Sequence, residues 1–325
     1  MLRRLLIALM LMTASGCIRS ASGIIIDHDG GIDDLIAISL LITSGAVHVR
    51  AITICPGDSY LEPATRGTQL FVDRLGGENI TIAQGHSEGR NPFPDAWRKD
   101  AARVLTIPAL AGVQPKPVNR IVDEDAPHHL AKLLGGSARY AILETGPLTN
   151  IADALKINPA IRNNVSRIYI MGGAVRVRGN VEQPGHDGSA EWNFYNQPQA
   201  AAEVIQSGIP ITLIPLDATN KVPLTREFID RLGRQPSIAA RLAAQSWQLV
   251  AGQESAEQYY FWDTLTAAAM LDRSLVAIEN LKVRVITEGA SQGRVLEDPA
   301  GTPVEVALDA SRDKVENLFL NVLSR

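Results

Sequence analysis

The sequence predicts an α/β fold, with a mainly parallel sheet flanked by helices and extra helices and short strands in the C-terminal part. Short apolar runs alternate with helical patterns through most of the 325 residues, as in chains whose parallel strands are joined by helices. Glycine pairs such as Gly76-Gly77 and Gly135-Gly136 end several of the helical patterns. The composition, 46% hydrophobic and 20% charged, is usual for a globular protein with a large core.

Each element is predicted from its own pattern. Short apolar runs predict strands, and helical patterns, several of which end at glycine or begin with proline, predict helices. We expect strands at 24–26, 47–54, 80–83, 140–143, 165–171, 211–216, 281–287, 294–297 and 304–308, and helices at 35–42, 64–75, 126–134, 148–155, 198–206, 238–250, 264–271 and from 310 onward. Residues 85–117 contain five prolines and are expected to be a loop.

The N-terminus has the pattern of a secretory signal peptide. Arginines at 3 and 4 precede an uninterrupted apolar run at 5–12, and small residues then lead to Cys17. This resembles a bacterial lipoprotein signal, so we predict a signal peptide at 1–22 with Cys17 as the lipid site. We expect a single domain at 23–325, exported to the periplasm or cell envelope, that contacts the membrane only through its lipid anchor. Ordinary secretion without a lipid is the alternative.

Four carboxylates fall within eight residues directly after the first predicted strand: Asp27, Asp29, Asp33 and Asp34. Ligands bind at the carboxyl ends of strands in such sheets. Like charges at short range raise each other's pKa, and a bound Ca²⁺ or Mg²⁺ would relieve the repulsion. The alternative is that Asp33 and Asp34 only complement the dipole of the following helix, which leaves the other two acids unexplained.

Further polar residues follow later strands, and they share carboxylate or amide chemistry: Asp58, Thr145, Asn150, Asn180, Glu191, Asn193, Asp217, Asn220 and Asp263. Such groups suit a hard cation and a neutral polyol, because they accept from and donate to hydroxyls. Few lysines or arginines accompany them, which makes a phosphate site a poor fit. A net charge of −4 without a basic run gives no reason to expect a nucleic acid partner.

These motifs together resemble the inosine-uridine-preferring nucleoside hydrolases over nearly the whole mature chain. The matching segments are 27–34, 144–150 and 171–174, in the same order and spacing as in the family. The family has proline where Gly30 stands, and we expect the turn to tolerate either residue. The resemblance implies an open Rossmann-like core and calcium-dependent hydrolysis of the N-glycosidic bond of nucleosides.

The resemblance also implies roles for individual residues. Calcium would be held by the carboxylates of Asp29, Asp34 and Asp263 and by the backbone carbonyl of Thr145. The ribose hydroxyls would be bound by Asp33 and Asn193 at one end and by Asn180 and Glu191 at the 5′ end. Asp29 would also act as the base for the attacking water. Asp27 is expected to orient the loop without touching the substrate.

The base site resembles that of the purine-specific branch, which takes inosine, adenosine and guanosine. Many members have histidine before the aspartate that aligns with Asp263, whereas this chain has Trp262. Trp97 and Trp262 would sandwich the purine, and Asp58 would hydrogen-bond it. Stacking would make the purine a better leaving group, which gives Trp262 a catalytic role. The alternative for both tryptophans is packing, of Trp97 as a loop anchor and of Trp262 beside Phe261.

Other functions remain open at this point. A broad or pyrimidine-preferring hydrolase would use another acid for the leaving base, and a nucleoside-binding lipoprotein would lack hydrolysis altogether. Tyr259 and Tyr260 are candidates for a lid. His186 could reach the substrate, although an exposed loop position is expected for it. The sequence allows a homodimer but gives no sign of one.

Overall fold

The structure is a computed structural model that describes residues 21–116, 121–251 and 258–325. Cys17 and nearly all of the predicted signal peptide lie outside the described residues, so the lipid site and the export of the protein stay predictions. Among the helices that the structure describes, none has the length and apolar content needed to cross a bilayer.

In the described part of the chain, nine strands form one sheet with the order β3-β2-β1-β4-β5-β6-β9-β7-β8. Their bounds are β1 Gly23–His28, β2 Val49–Ile54, β3 Thr81–Gln84, β4 Tyr140–Glu144, β5 Val165–Met171, β6 Ile211–Ile214, β7 Val276–Val285, β8 Val295–Glu297 and β9 Thr302–Ala310. Strand pairing is parallel from β3 through β9, and β7 pairs antiparallel with both β9 and β8. The predicted mainly parallel α/β fold is therefore confirmed.

The helices cover both faces of this sheet. They are α1 Ile32–Ser44, α2 Leu61–Arg74, α3 Asp95–Ala101, α4 Ala126–Leu134, α5 Thr149–Ile157, α6 Trp192–Asn196, α7 Pro198–Ile205, α8 Leu216–Thr219, α9 Arg226–Gly233, α10 Ile238–Gln248, α11 Trp262–Leu271 and α12 Arg312–Leu323. Helix α1 is buried over its first ten residues and packs on α10, α11 and α12, which explains its nearly continuous apolar sequence.

The prediction that residues 85–117 form a loop is wrong in part. The segment contains α3 and two short 3₁₀ helices, Ala102–Thr106 and Pro108–Leu110. Pro94 occupies the N-cap of α3 and Pro108 opens a 3₁₀ helix. A proline is tolerated at these positions because the first residues of a helix need no backbone N–H. Helix α9 was not predicted, and β7 begins earlier than expected because its exposed residues interrupt the apolar run.

The order of the strands reverses between β1 and β4, which are neighbours in the sheet although far apart in the chain. Asp27 at the end of β1 lies opposite Glu144 at the end of β4. The turns that follow these two strands are therefore adjacent. A reversal of this kind leaves a crevice at the carboxyl ends of the strands, where ligands bind in open α/β sheets.

The packing of the core is tested by substituting two tryptophans, one buried and one partly exposed. Trp247 is fully buried, with ring centroids of Phe228, Phe261 and Phe319 at 5.7, 5.0 and 5.7 Å. Trp247→Ala is expected to lower the free energy of unfolding by about 3–5 kcal/mol. Trp97→Ala, at a side chain that is 40% exposed, should cost less than about 1 kcal/mol. Urea denaturation measures both, and equal losses would contradict the packing described.

Candidate active site

The turn between β1 and α1 has a backbone that only glycine can provide at one position. Gly30 has φ +82°, and a Cβ there would lie 2.3 Å from the Cβ of Ala64. Proline cannot adopt this φ, so the expectation that the turn would tolerate proline in place of Gly30 is wrong for this conformation. The next residue, Gly31, donates its N–H to Asp34 Oδ2 at 2.8 Å, which fixes the first turn of α1.

The acids of this turn meet the start of α11 in a buried cluster of four: Asp29, Asp33, Asp34 and Asp263. Asp29 contacts Asp34 and Asp33 contacts Asp263, side chain to side chain. Burial, the largest cause, raises the pKa of Asp34 to about 7. Burial followed by the charges of neighbouring acids raises the pKa of Asp29 and of Asp263 well above the usual range.

The donor chemistry of this cluster fits a hard cation. His28, 3.9 Å from Asp34, brings no positive charge because burial lowers its pKa to about 4. No lysine or arginine charge is among the causes that shift the pKa of the four acids. The carboxylates are paired with one another, however, and within the described ranges no three acidic, histidine or cysteine side chains surround one point as an ion cage would.

Asp27 lies behind the cluster. Its Oδ1 accepts from Thr53 Oγ1 at 2.7 Å and from Asn150 Nδ2 at 2.8 Å, and its side chain also contacts Glu144. Burial is the main reason that the pKa of both acids is raised. The adjacent Thr145 hydroxyl donates to Asp34 Oδ1. These bonds hold the two strand ends together beneath Asp29.

Helix α6 forms a second wall. Asn193 donates from Nδ2 to the Thr145 carbonyl at 3.1 Å and to the Met171 carbonyl at 3.3 Å. Glu191 caps the helix by accepting from the backbone N–H groups of Asn193 and Phe194, and it also accepts from Gly173 at 2.9 Å. Burial raises the pKa of Glu191 to about 7, against the opposing effect of these bonds.

A cavity of about 730 Å³ lies between these elements. Its lining includes all but one of the residues that the sequence assigned to metal, ribose or base: Asp29, Asp33, Asp58, Trp97, Thr145, Asn180, Glu191, Asn193, Trp262 and Asp263. The exception is Asp34, which is reached through its contact with Asp29. His186 is not a lining residue. Its ring packs against Tyr195 at 4.8 Å and bonds the Gln292 carbonyl at 3.0 Å.

Aromatic rings also line the cavity. Trp97 on α3 packs edge-on against Trp192, with ring centroids 5.3 Å apart. Trp262 opens α11 and packs against Tyr259 at 4.5 Å. Trp97 is 40% exposed, so it is not a buried anchor of its segment. Trp262 is only half-buried, which leaves part of its ring open to the cavity.

Two residues that shape the cavity were not predicted in these roles from the sequence. Trp192 supports both Trp97 and Phe93, with ring centroids at 5.3 and 5.1 Å; its place between Glu191 and Asn193 was a visible signal. Tyr259, expected only as a lid residue, donates its hydroxyl to Asp33 Oδ1 at 3.0 Å. Nothing in the sequence pairs residues so far apart in the chain.

Fold and cavity together define an α/β protein with a cavity that is lined by acidic, amide and aromatic side chains. A model of the inosine-uridine preferring nucleoside hydrolase family matches residues 24–317, so the chain belongs to that family. The resemblance inferred from the sequence motifs is thereby confirmed. The protein is a nucleoside hydrolase, a hydrolase that acts on N-glycosyl compounds.

Individual relatives differ in the substrates that their names state. The structure of the inosine-uridine preferring nucleoside hydrolase from Bacillus anthracis is 36% identical, with a TM-score of 0.86 over 93% of this chain and 98% of that one. The pyrimidine-specific ribonucleoside hydrolase RihA from Escherichia coli O8 (strain IAI1) is 31% identical over 85% of this chain and 88% of its own length. A purine-preferring ribonucleoside hydrolase from Gardnerella vaginalis is 25% identical, with a TM-score of 0.78 over 93% of this chain and 98% of that one.

The bond between Tyr259 and Asp33 generates a prediction. Tyr259→Phe removes the hydroxyl that holds Asp33, and hydrogen bonds to charged groups contribute about 1.5–3 kcal/mol. We expect kcat/KM for the best nucleoside substrate to fall at least about tenfold. The matched control is Tyr260→Phe, at a neighbour that also lines the cavity. Equal effects of the two substitutions in steady-state kinetics would show that the Asp33 contact is unimportant.

Proposed function

We propose that this nucleoside hydrolase is calcium-dependent and prefers purine ribonucleosides, which it splits into ribose and free base. The observation that carries the proposal is the lining of one cavity by Trp97 and Trp262 together with Asp29, Asp33, Asp263 and Asn193. A bicyclic purine offers more ring area for stacking than a pyrimidine does, and aromatic pairs gain about 0.5–1.5 kcal/mol beyond burial.

The acidic residues of the cavity suit the chemistry of the ribose. Breaking an N-glycosidic bond leaves positive charge on the sugar, as in oxocarbenium-like glycoside chemistry. Buried carboxylates stabilise such charge strongly because little water screens them. Asp33, held by Tyr259, and Asn193 would bind the ribose hydroxyls. Asp29 lines the cavity, and its carboxylate would take a proton from the attacking water.

Asp29, Asp34, Asp263 and the Thr145 carbonyl would hold the calcium ion. When bound, calcium would position the hydroxyls and the water and lower the pKa of that water. The described geometry supports the choice of donors, because oxygen ligands and negative charge are what Ca²⁺ requires. Burial and then the repulsion of neighbouring acids raise the pKa of Asp29 and Asp263, and binding would offset that repulsion.

The aromatic residues of the cavity suit a purine leaving group. Trp262 stands where many family members have histidine, so stacking, in place of an imidazole acid, would assist departure of the base. Asp58 lines the cavity and donates its backbone N–H to Asp29 Oδ2 at 3.0 Å. Burial and the Asp29 charge raise the pKa of the Asp58 carboxyl well above its usual range, and Asp58 would hydrogen-bond the base.

A pyrimidine-preferring hydrolase is the second candidate, and the names of relatives favour it. Besides RihA, the probable uridine nucleosidase 1 of Oryza sativa subsp. japonica is 28% identical over 85% of this chain. The base-site residues of this chain are the reason that we prefer the purine reading.

Base preference is tested with a substrate panel. We expect reducing sugar to be released from inosine, guanosine or adenosine at kcat/KM at least about tenfold above that for uridine or cytidine, because stacking energy is lost with the smaller ring. Trp262→Ala should lower kcat for the best purine much more than it weakens inhibition by free ribose. Equal rates on uridine would remove the purine preference from the proposal.

Calcium is tested by chelation. Dialysis against a calcium chelator should abolish turnover and lower Tm, since the buried acids then repel one another unopposed. Calcium should restore both, and magnesium far less. Asp29→Ala should be inactive with an unchanged circular dichroism spectrum, and Asp153→Asn, at an exposed acid paired with Lys156, is the matched control. Full activity after exhaustive chelation would refute the calcium requirement.

A further inference from the structure

Helix α3 presents one face to the cavity. Ala96, Trp97, Asp100 and Ala101 all line it, and this spacing is that of residues on one side of a helix. The other charged residues of α3 are occupied elsewhere. Arg98 pairs with Glu88 at 2.7 Å, and Lys99 pairs with Asp95. Asp100 is therefore the charge that α3 places against the ligand.

The Asp100 carboxylate has acceptor capacity to spare. Its Oδ1 accepts from Arg103 Nη1 at 3.3 Å, and its side chain is 48% exposed. No hydrogen bond to Oδ2 is made from within the described ranges of the chain. Asp58 lines the same cavity, and burial, the charges of Asp29, Asp33 and Asp34 and finally that of Asp100 raise the pKa of its carboxyl. An ionised carboxylate accepts hydrogen bonds and donates none.

Asp100 follows Trp97 at i+3, and such residues lie about 5–6 Å apart on a helix surface. A base stacked on Trp97, with its ribose directed toward Asn193 and Asp33, would have its outer rim near Asp100. For a purine, that rim is the six-membered ring. Adenine and guanine carry an exocyclic amino group there, whereas unsubstituted purine has no N–H donor on this ring.

We propose that Asp100 is a specificity-determining residue that accepts a hydrogen bond from the exocyclic amino group of the purine. It selects aminopurine nucleosides over analogues that lack the amino group. This inference rests on the proposed function, because it requires a purine base stacked on Trp97.

If Asp100 has only a structural role, a different result is expected. An exposed ion pair with Arg103, at i and i+3, contributes little to stability. In that case the loss of the carboxylate would change all substrates alike or none of them. The two roles are therefore separated by comparing substrates that differ in a single amino group.

The experiment uses the full enzyme and two substrate pairs, adenosine with purine riboside and guanosine with inosine. We expect Asp100→Ala to lower the kcat/KM ratio within at least one pair by about tenfold, the size of a lost hydrogen bond to a charged acceptor. Asp100→Asn keeps a neutral carbonyl acceptor and should fall between. Asp95→Asn, at the exposed and Lys99-paired acid on the same helix, should leave both ratios unchanged.

Each outcome decides one question. A ratio that drops in Asp100→Ala but not in Asp95→Asn supports the assignment. Ratios that stay within twofold in both pairs overturn it, whatever happens to the absolute rates. Absence of purine turnover by the unaltered enzyme overturns the proposed function and this inference with it. The unaltered enzyme is therefore assayed first, before any variant is made.

Discussion

Buried negative charge at the carboxyl ends of β1 and β4 is the constraint on which the rest of the structure depends. A carboxylate taken out of water must find hydrogen bonds, a counter-charge or a proton. The fold supplies hydrogen bonds to the rear acids, with Thr53 and Asn150 on Asp27 and Gly31 on Asp34. It supplies far less to Asp29 and Asp263, which face the cavity. Asp29 and Asp263 line the cavity, so a ligand can reach both of them.

Backbone approaches Asp29 closely enough to make its position rigid. A Cβ on Gly57 would lie 2.2 Å from Asp29 Oδ2, and one on Gly146 would lie 2.9 Å from its Cβ. These glycines come from the turns after β2 and β4, the two strands that flank β1 in the sheet. The acid is thus held by main chain on both sides, which favours a fixed orientation over an adaptable one.

The sequence sufficed for the parts of the molecule that depend on local pattern. Buried parallel strands are apolar runs, so their number and order along the chain were readable, and acids directly after a strand were readable as a site. Helix α3 was not, since its seven residues carry no complete apolar face and begin behind Pro94. The bond from Tyr259 to Asp33 joins residues that only the folded chain brings together. The positive φ of Gly30 depends on the approach of Ala64 and could not be read from a motif.

Asn196 is one of the buried side chains that join α6 to the segment leading to α3. Asn196, at the end of α6, donates from Nδ2 to the backbone carbonyls of Glu88 and Asn91. The backbone carbonyl of Asn196 accepts from the N–H groups of Arg90 and Asn91. Asn193 on the same helix reaches Thr145. The segment that leads to α3 is therefore tied to the helix that would hold the ribose. Under the proposed function, the turns of the sheet would carry the chemistry, and α3 would contribute Trp97 and Asp100 to the selection of the base. Substitutions in that helix could then change the preferred base of this enzyme while the strands of the sheet stay in place.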